Sequence, residues 1–353
     1  MQVLGRSVFR AWSLALMASV AACSHSAPFA GEENPGVDGP FSTTALVRLT
    51  FDAGMDRYPT FDVDNQSFWY SFQAPGRPDG DRCLATMAAA GGVRHEHCLD
   101  DNAGQTRRDA YDSPTPGPDG QLAYGRFQSL ISAFFPASGA LMLATTADPL
   151  NGRSLLTTPN NIGGVGFNHF GRIRWIAKDK LLVLIEDQTV VPHCIGCVKR
   201  DTVIQPYGIL GGTITATGAT FALIPGTNGA SDFFTSAAGD SIYFTNGDLL
   251  QRLPTAGGSP VNVFTNSTGV GSVARVPGGM IFITSDGRIR LADFTAGTSV
   301  ELVNRLELTA LGFGAIDASS DGCRAVVEVR KSFDVTYTTD LYGLKTGKAG
   351  CTP

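Results

Sequence analysis

"Asp112-Ser113-Pro114-Thr115-Pro116-Gly117-Pro118-Asp119-Gly120-Gln121-Leu122-Ala123-Tyr124" reads as a strand, a tight turn and a second, apolar strand. Asp-Gly supplies the positive φ angles that a hairpin turn requires at little steric cost. The same outline returns along the chain, and such repetition points to an architecture of stacked units. Tyr58 to Ser71 carries it around Asp62-Val63-Asp64-Asn65. Arg172 to Leu184 turns at Lys178-Asp179, and Ser236 to Phe244 at Gly239-Asp240. Val276 to Ile283 turns at Pro277-Gly278, and Ser319 to Val327 at Asp321-Gly322. Between the turns, Thr, Val, Ile and Phe recur in short runs, while charged residues are sparse. The run Leu181-Leu182-Val183-Leu184-Ile185 is short and partly branched, so it predicts a buried strand instead of a helix. No long amphipathic helical pattern competes, and the domain is expected to be all-β.

The six units resemble the repeat of TolB-like β-propellers, Pro-x-(Phe/Trp)-Ser-Pro-Asp-Gly followed by an apolar strand, and more broadly the WD-repeat-like propellers. The resemblance spans Thr43 to Gly347. Asp112–Tyr124 and Ser319–Val327 match best; the three units between them keep the outline without Pro-Asp-Gly. It implies a six-bladed β-propeller of four-stranded blades. The unequal spacing of the turns places insertions in several blades. The stretch Thr44 to Phe51 is a strand left over by count, and Asp340 to Leu344 is the last. The N-terminal strand is therefore expected to complete the last blade and remove an open edge. A β-sandwich, single or double, is the competing architecture.

The N-terminus reads as an export signal. Arg6 and Arg10 precede an apolar run, Ala11 to Ala22, too short to span a bilayer, which takes about 20 residues. The run closes as Val20-Ala21-Ala22-Cys23, which resembles a bacterial lipobox. That implies a signal peptide over 1–22, lipidation of Cys23, and membrane attachment by acyl chains alone. Ser24 in place of Asp favours the outer membrane, facing the periplasm or the cell surface. Residues 23–42 carry Pro, Gly, Ser and Glu and are expected to form a flexible tether, with the propeller over 43–353. The formal net charge of −5 becomes −7 when Arg6 and Arg10 leave with the signal. No basic stripe is present, so nucleic acid is not an expected partner. A monomer is expected.

Seven cysteines occur, and six remain once Cys23 is assigned to the lipid. An even number in an exported chain reads as disulfides. Cys83 and Cys98 flank a hairpin through Ala90-Gly91-Gly92 and face each other across it. Cys323 at the start of the inner strand of blade six and Cys351 past the end of a neighbouring strand would pin the C-terminal tail. Cys194 and Cys197 are left to pair with each other. Their surroundings are strand-like, whereas a thioredoxin-type dithiol sits at a helix N-terminus. Val198 stands where a haem-attachment motif needs histidine. A redox pair and a metal pair stay open beside the staple reading.

His95 and His97 share one face of a strand and could hold a metal only with a third ligand, which the sequence does not supply. Asp62 to Ser67 coincides with a repeat turn, and Asp100-Asp101-Asn102 reads as a solvated loop. No Gly-x-Ser-x-Gly, His-Glu-x-x-His or phosphate loop occurs, so neither metal nor cofactor is expected. The reading that follows is a non-catalytic envelope lipoprotein whose propeller is a protein-interaction or ligand-binding scaffold. The excursions Ala103–Asp112 and Pro192–Gly212 are the candidate contact segments for a protein partner. The second reading is a hydrolase or lyase acting on a glycan or peptide at the channel mouth. Converging carboxylates in a deep channel would favour the second, an exposed aromatic rim the first.

Overall fold

A computed structural model describes residues 46–51, 54–73, 81–99, 107–130, 136–192, 200–308, 312–330 and 339–351. Cys23, the segments 1–22 and 23–42, Asp100-Asp101-Asn102, and His193, Cys194 and Cys197 lie outside them. Strand β1 (Leu46–Arg48) comes first. Blade 1 is β2 (Asp56–Phe61), β3 (Ser67–Phe72), β4 (Cys83–Ala88) and β5 (His95–His97). Blade 2 is β6 (Arg107–Pro116), β7 (Gln121–Leu130), β8 (Pro136–Thr145) and β9 (Asp148–Thr158). A small ribbon, β10 (Asn160–Ile162) and β11 (Val165–Phe167), leads to blade 3: β12 (His169–Ala177), β13 (Lys180–Pro192), β14 (Arg200–Ile214) and β15 (Ala219–Leu223). Blade 4 is β16 (Asp232–Thr235), β17 (Ser241–Asn246), β18 (Leu249–Pro254) and β19 (Val261–Thr265). Blade 5 is β20 (Val273–Val276), β21 (Gly279–Ile283), β22 (Arg288–Asp293) and β23 (Thr298–Asn304). Blade 6 is β24 (Gly312–Ala318), β25 (Arg324–Arg330) and β26 (Thr339–Lys345).

These form six four-stranded antiparallel sheets. Their first strands adjoin one another in a ring that closes from β24 onto β2. The fold is a six-bladed β-propeller, with β2, β6, β12, β16, β20 and β24 around the channel. Ring closure follows the expectation: β1 pairs with β26, Leu46 opposite Leu344, and becomes the outer strand of blade 6. The Asn65 side-chain amide adds a polar clasp, donating to Ser320 Oγ at 2.8 Å and accepting from the Ser320 N–H.

Six apolar clusters hold the disc, one between each pair of neighbouring blades. Period-two alternation explains them, because successive side chains of a strand face opposite neighbours. On β13, Leu181, Val183 and Ile185 pack toward blade 2 with Phe170 and Leu141. Leu182 and Leu184 pack toward blade 4 with Phe233 and Phe244. Both faces are covered, so the strand is apolar throughout, as strands buried on both sides are. Each such side chain contributes about 1.5–3 kcal/mol on full burial.

The turns use the chemistry that the repeats foretold. Asp119 and Gly120 both have positive φ, 57° and 69°. Gly117 is required for a different reason: a Cβ there would lie 2.4 Å from Cε2 of Trp175 on the next blade. Disulfides join Cys83 to Cys98 and Cys323 to Cys351. Cys323 stands just ahead of β25, the second strand of blade 6, while the channel-lining strand of that blade is β24. The two candidate contact segments are largely strand where they are described; 103–106 and 193–199 lie outside the described residues. Residues 107–112 of the first excursion lie in channel strand β6, and Tyr111 and Asp112 are buried. Residues 200–212 of the second lie in β14, paired with β13 in a long hairpin from Lys180↔Thr213 to Pro192↔Arg200. Both stretches pair strand to strand, the second with one register shift at Tyr207, so their backbones satisfy each other.

Candidate functional site

Four of the six channel strands are bulged. Register shifts fall between Arg57 and Thr60 in blade 1, Asp112 and Thr115 in blade 2, Phe170 and Ile173 in blade 3, and Phe313 and Ile316 in blade 6. The residues inside the shifts are Tyr58-Pro59, Ser113-Pro114, Gly171-Arg172 and Gly314-Ala315. Proline explains the first two, since it cannot donate to the ladder and is accommodated at bulges. Tyr58 and Ser113 take left-handed φ, 55° and 52°, which side-chain-bearing residues adopt at a cost. Bulges re-aim side chains and are enriched near functional sites. Here all four border one cavity of about 300 Å³ at the end of the channel where the first strands begin, the upper mouth. An adjoining cavity of about 330 Å³ shares Arg57, Tyr58, Ile204, Glu328 and Arg330 and reaches Arg82, Asp112 and Gln188.

The two glycines in the bulges make room for carboxylates from the second strands. A Cβ on Gly171 would sit 2.3 Å from Oε1 of Glu186, and one on Gly314 would sit 2.5 Å from Cδ of Glu328. Both glutamates thereby reach the channel wall while almost wholly buried. Glu328 lies 3.6 Å from Nε of Arg57 and 3.8 Å from Nε of Arg330, beyond hydrogen-bonding distance of either. The Arg57 guanidinium stacks over the Tyr58 ring, 4.6 Å from its centroid. The Tyr58 hydroxyl is pushed up to about 12 by burial, with Asp112 and Glu186 adding to the shift and Arg57 opposing it. It is therefore a neutral donor at physiological pH.

Behind this wall stands a buried charged row. Arg82 grips Asp112 in a fork, Nη2 donating to Oδ2 at 2.6 Å and Nε to Oδ1 at 3.0 Å. His169 lies between Asp112, 3.5 Å from Nε2, and Glu186, 3.4 Å from Nδ1. The Gln188 amide is 2.9 Å from the same Nδ1, and Phe127 stacks on the ring at 4.1 Å. Burial alone would push the imidazole down, but hydrogen bonds and charge from the two carboxylates override it and hold the pKa up. Burial alone would raise Asp112; the charge of Arg82 and the bond with His169 outweigh it and hold the carboxyl well below its usual range.

A second charged layer crosses the channel below. Arg172 donates to Asp232 Oδ2 at 2.8 Å, to Ser272 Oγ at 3.0 Å and to the Ile316 carbonyl at 3.0 Å. Arg174 pairs with Asp317, which also accepts the Phe61 N–H at 2.8 Å. The layer separates the upper cavities from a third, of about 360 Å³, at the end where the first strands finish.

The residues singled out in the sequence lie elsewhere. His95 and His97 are on β5, the outer strand of blade 1, where His97 stacks on Trp69 at 5.4 Å. Among the described residues no group of three His, Cys, Asp or Glu is placed to hold a metal ion. Asp62 and Asp64 spend carboxylate oxygens on the N–H groups of Val63 and Gln66 within their own turn. The channel residues were missed because they are scattered from Arg57 to Arg330. A signal was present in Tyr58-Pro59 and Ser113-Pro114, since proline inside a strand pattern marks an edge or a bulge.

No protein-family model matches the sequence, and no curated protein matches it. The fold does have relatives among solved structures. The soluble aldose sugar dehydrogenase of Escherichia coli, in its apo form, is similar over 85% of this chain and 99% of its own, with TM-score 0.51 and 9% identity. A gluconolactonase of Xanthomonas campestris is similar over 85% of this chain and 89% of its own, with TM-score 0.52 and 9% identity. At such identities the likeness concerns the propeller fold alone.

Proposed function

We propose that the protein acts at the upper mouth of its channel on a small hydrophilic ligand, a glycan or peptide fragment, with hydrolase or lyase chemistry. The observation that carries this reading is the convergence of four inner-strand bulges on one cavity. Three of them place Tyr58, Glu186 and Glu328 at its wall. The set combines a neutral hydroxyl donor, buried carboxylates and the cations Arg57 and Arg330. Such groups match a ligand rich in hydroxyls or amides, and Glu328 with Tyr58 would serve as base and acid. The scaffold reading called for an exposed aromatic rim. The large exposed apolar residues among those described are Val, Ile and Leu, without an aromatic.

The test is a panel of oligosaccharides and peptides, followed by binding and product release. Wild type is expected to act on at least one class. Glu328→Gln is expected to lose about 10²–10⁴-fold in rate, the range of general acid–base catalysis. If no member is bound or cleaved and a pull-down from envelope extract recovers one specific protein, the scaffold reading replaces this one.

The same proposal keeps the protein in the cell envelope, attached through Cys23 with 1–22 removed and 23–42 as tether to the domain at 43–353. Its support is the Val20-Ala21-Ala22-Cys23 motif. Labelling with a palmitate analogue should mark wild type and not Cys23→Ala. Labelling of both would end the lipoprotein assignment.

A further inference from the structure

The lower mouth holds a cation whose guanidinium no described residue engages. Arg275 is the third residue of channel strand β20 and borders the lower cavity of about 360 Å³. It is half-buried. Its backbone pairs with Met280, and among the described residues its side chain has no hydrogen-bond or ion-pair partner. The other channel-strand arginines with described side chains each face a carboxylate: Arg57 faces Glu328, Arg172 faces Asp232 and Arg174 pairs with Asp317. Drawing a guanidinium partly out of water without a counter-charge costs free energy that no described residue offsets by a direct bond. An anion supplied from outside would offset it.

The walls around Arg275 are rigid and partly aromatic. Trp175 is anchored by its indole N–H, which donates to the Thr115 carbonyl at 3.0 Å, and by its close approach to Gly117. Phe234 is stacked on Tyr243 at 5.0 Å. Both border the cavity, as do Pro116 and the Asn65–Ser320 pair. The Arg174–Asp317 pair borders the inner end, where the Asp317 charge is met by Arg174, and Asp62, which accepts the Val63 N–H, borders the cavity at its turn. A single guanidinium fork fits a planar carboxylate in two parallel bonds. The indole and phenyl walls suit an aromatic body by stacking or edge contact. The volume is within the span of small-molecule sites, roughly 300–1,000 Å³.

We infer that the lower mouth is a second binding site, for a small aromatic carboxylate held on Arg275 against Trp175. It is separate from the upper cavities and independent of what the upper mouth does.

The experiment titrates benzoate into the whole chain, followed by tryptophan fluorescence and by calorimetry, with benzamide and inorganic phosphate as comparison probes. Benzoate is expected to bind saturably and to change Trp175 emission. Benzamide, which lacks the charge, should bind at least about tenfold more weakly. Arg275→Gln should weaken benzoate about ten- to hundredfold. Arg275→Lys should recover part of the loss, and Glu328→Gln, at the other mouth, should leave the benzoate affinity unchanged. Unaltered circular dichroism and melting of Arg275→Gln confirm that folding is intact, as expected where an unpaired charge is removed. The inference is overturned if benzoate does not saturate, if Arg275→Gln binds it like wild type, or if phosphate binds and benzoate does not.

Discussion

Arg172 of blade 3 donates to Asp232 of blade 4 at 2.8 Å, and the same guanidinium reaches Ser272 of blade 5 and the Ile316 carbonyl of blade 6. One side chain thus ties four blades across the channel and divides its length. Both partners of the ion pair are nearly buried. Arg172→Gln leaves Asp232 without its counter-charge and is expected to cost about 3–5 kcal/mol. Chemical denaturation reads this directly. The double replacement Arg172→Met with Asp232→Leu should recover part of the loss, because no buried charge is then orphaned. A neutral single mutant would remove the layer from the account of stability.

Gly314 is a test of the upper mouth with little backbone effect. Alanine there meets the Glu328 carboxyl, which must shift from its place beside Arg57 and Arg330. Overpacking of this kind costs about 1–3 kcal/mol. Binding and turnover at the upper mouth should fall with Gly314→Ala while the melt stays cooperative. Unchanged ligand binding would mean that the position of Glu328 does not matter.

His169 predicts the sense of a pH dependence. Its folded pKa is raised, so the native state keeps a proton that the unfolded chain loses near 6.5. Below that value the contribution is fully present, and it is lost as pH rises through the folded pKa. Asp112 works at the other end. Its depressed folded pKa gives a contribution present above the ordinary carboxylate range and lost as pH falls toward the folded value. Denaturation of wild type and His169→Gln across pH 6 to 9 should show a downward slope in the first that the second lacks. Parallel curves would mean that the imidazole titrates alike in the folded and unfolded chain, and a rising wild-type slope that it is held neutral in the fold.

Ring closure makes Leu46 a sensitive position. It is fully buried against the blade 5 and blade 6 core, although β1 has only three residues. Leu46→Ala is expected to cost about 2–5 kcal/mol and to expose the open edge of β26 to aggregation. Light scattering during thermal denaturation would register both effects. A mutant as stable and monodisperse as wild type would show that β1 is dispensable.

The cysteines give a chemical check. Cys323 and Cys351 close a loop of 28 residues and should stabilise the fold by about 3–4 kcal/mol in the chain-entropy account. Under non-reducing conditions Cys83, Cys98, Cys323 and Cys351 should resist alkylation. The sequence reading adds Cys194 and Cys197 to that set. Labelling of those two alone would restore the redox or metal reading of the Cys-x-x-Cys.

Local chemistry carried the architecture. Asp-Gly and related turns, short β-branched runs and a leftover strand at each end were enough to specify six hairpin-built units and their closure. Those signals act over a few residues, and sequence order displays such residues side by side. The upper mouth was hidden for the opposite reason. Tyr58, Asp112, His169, Glu186 and Glu328 stand on five different strands, and only the closed ring brings them to one place. Gly171 and Gly314 read as ordinary glycines until the second strands lay behind them, where the missing Cβ becomes space for a carboxylate. The pairing of Arg172 and Arg174, and the isolation of Arg275 on a strand of similar pattern, were likewise decided across the channel. Which charges meet there depends on the register of neighbouring blades, and the sequence alone does not display that register.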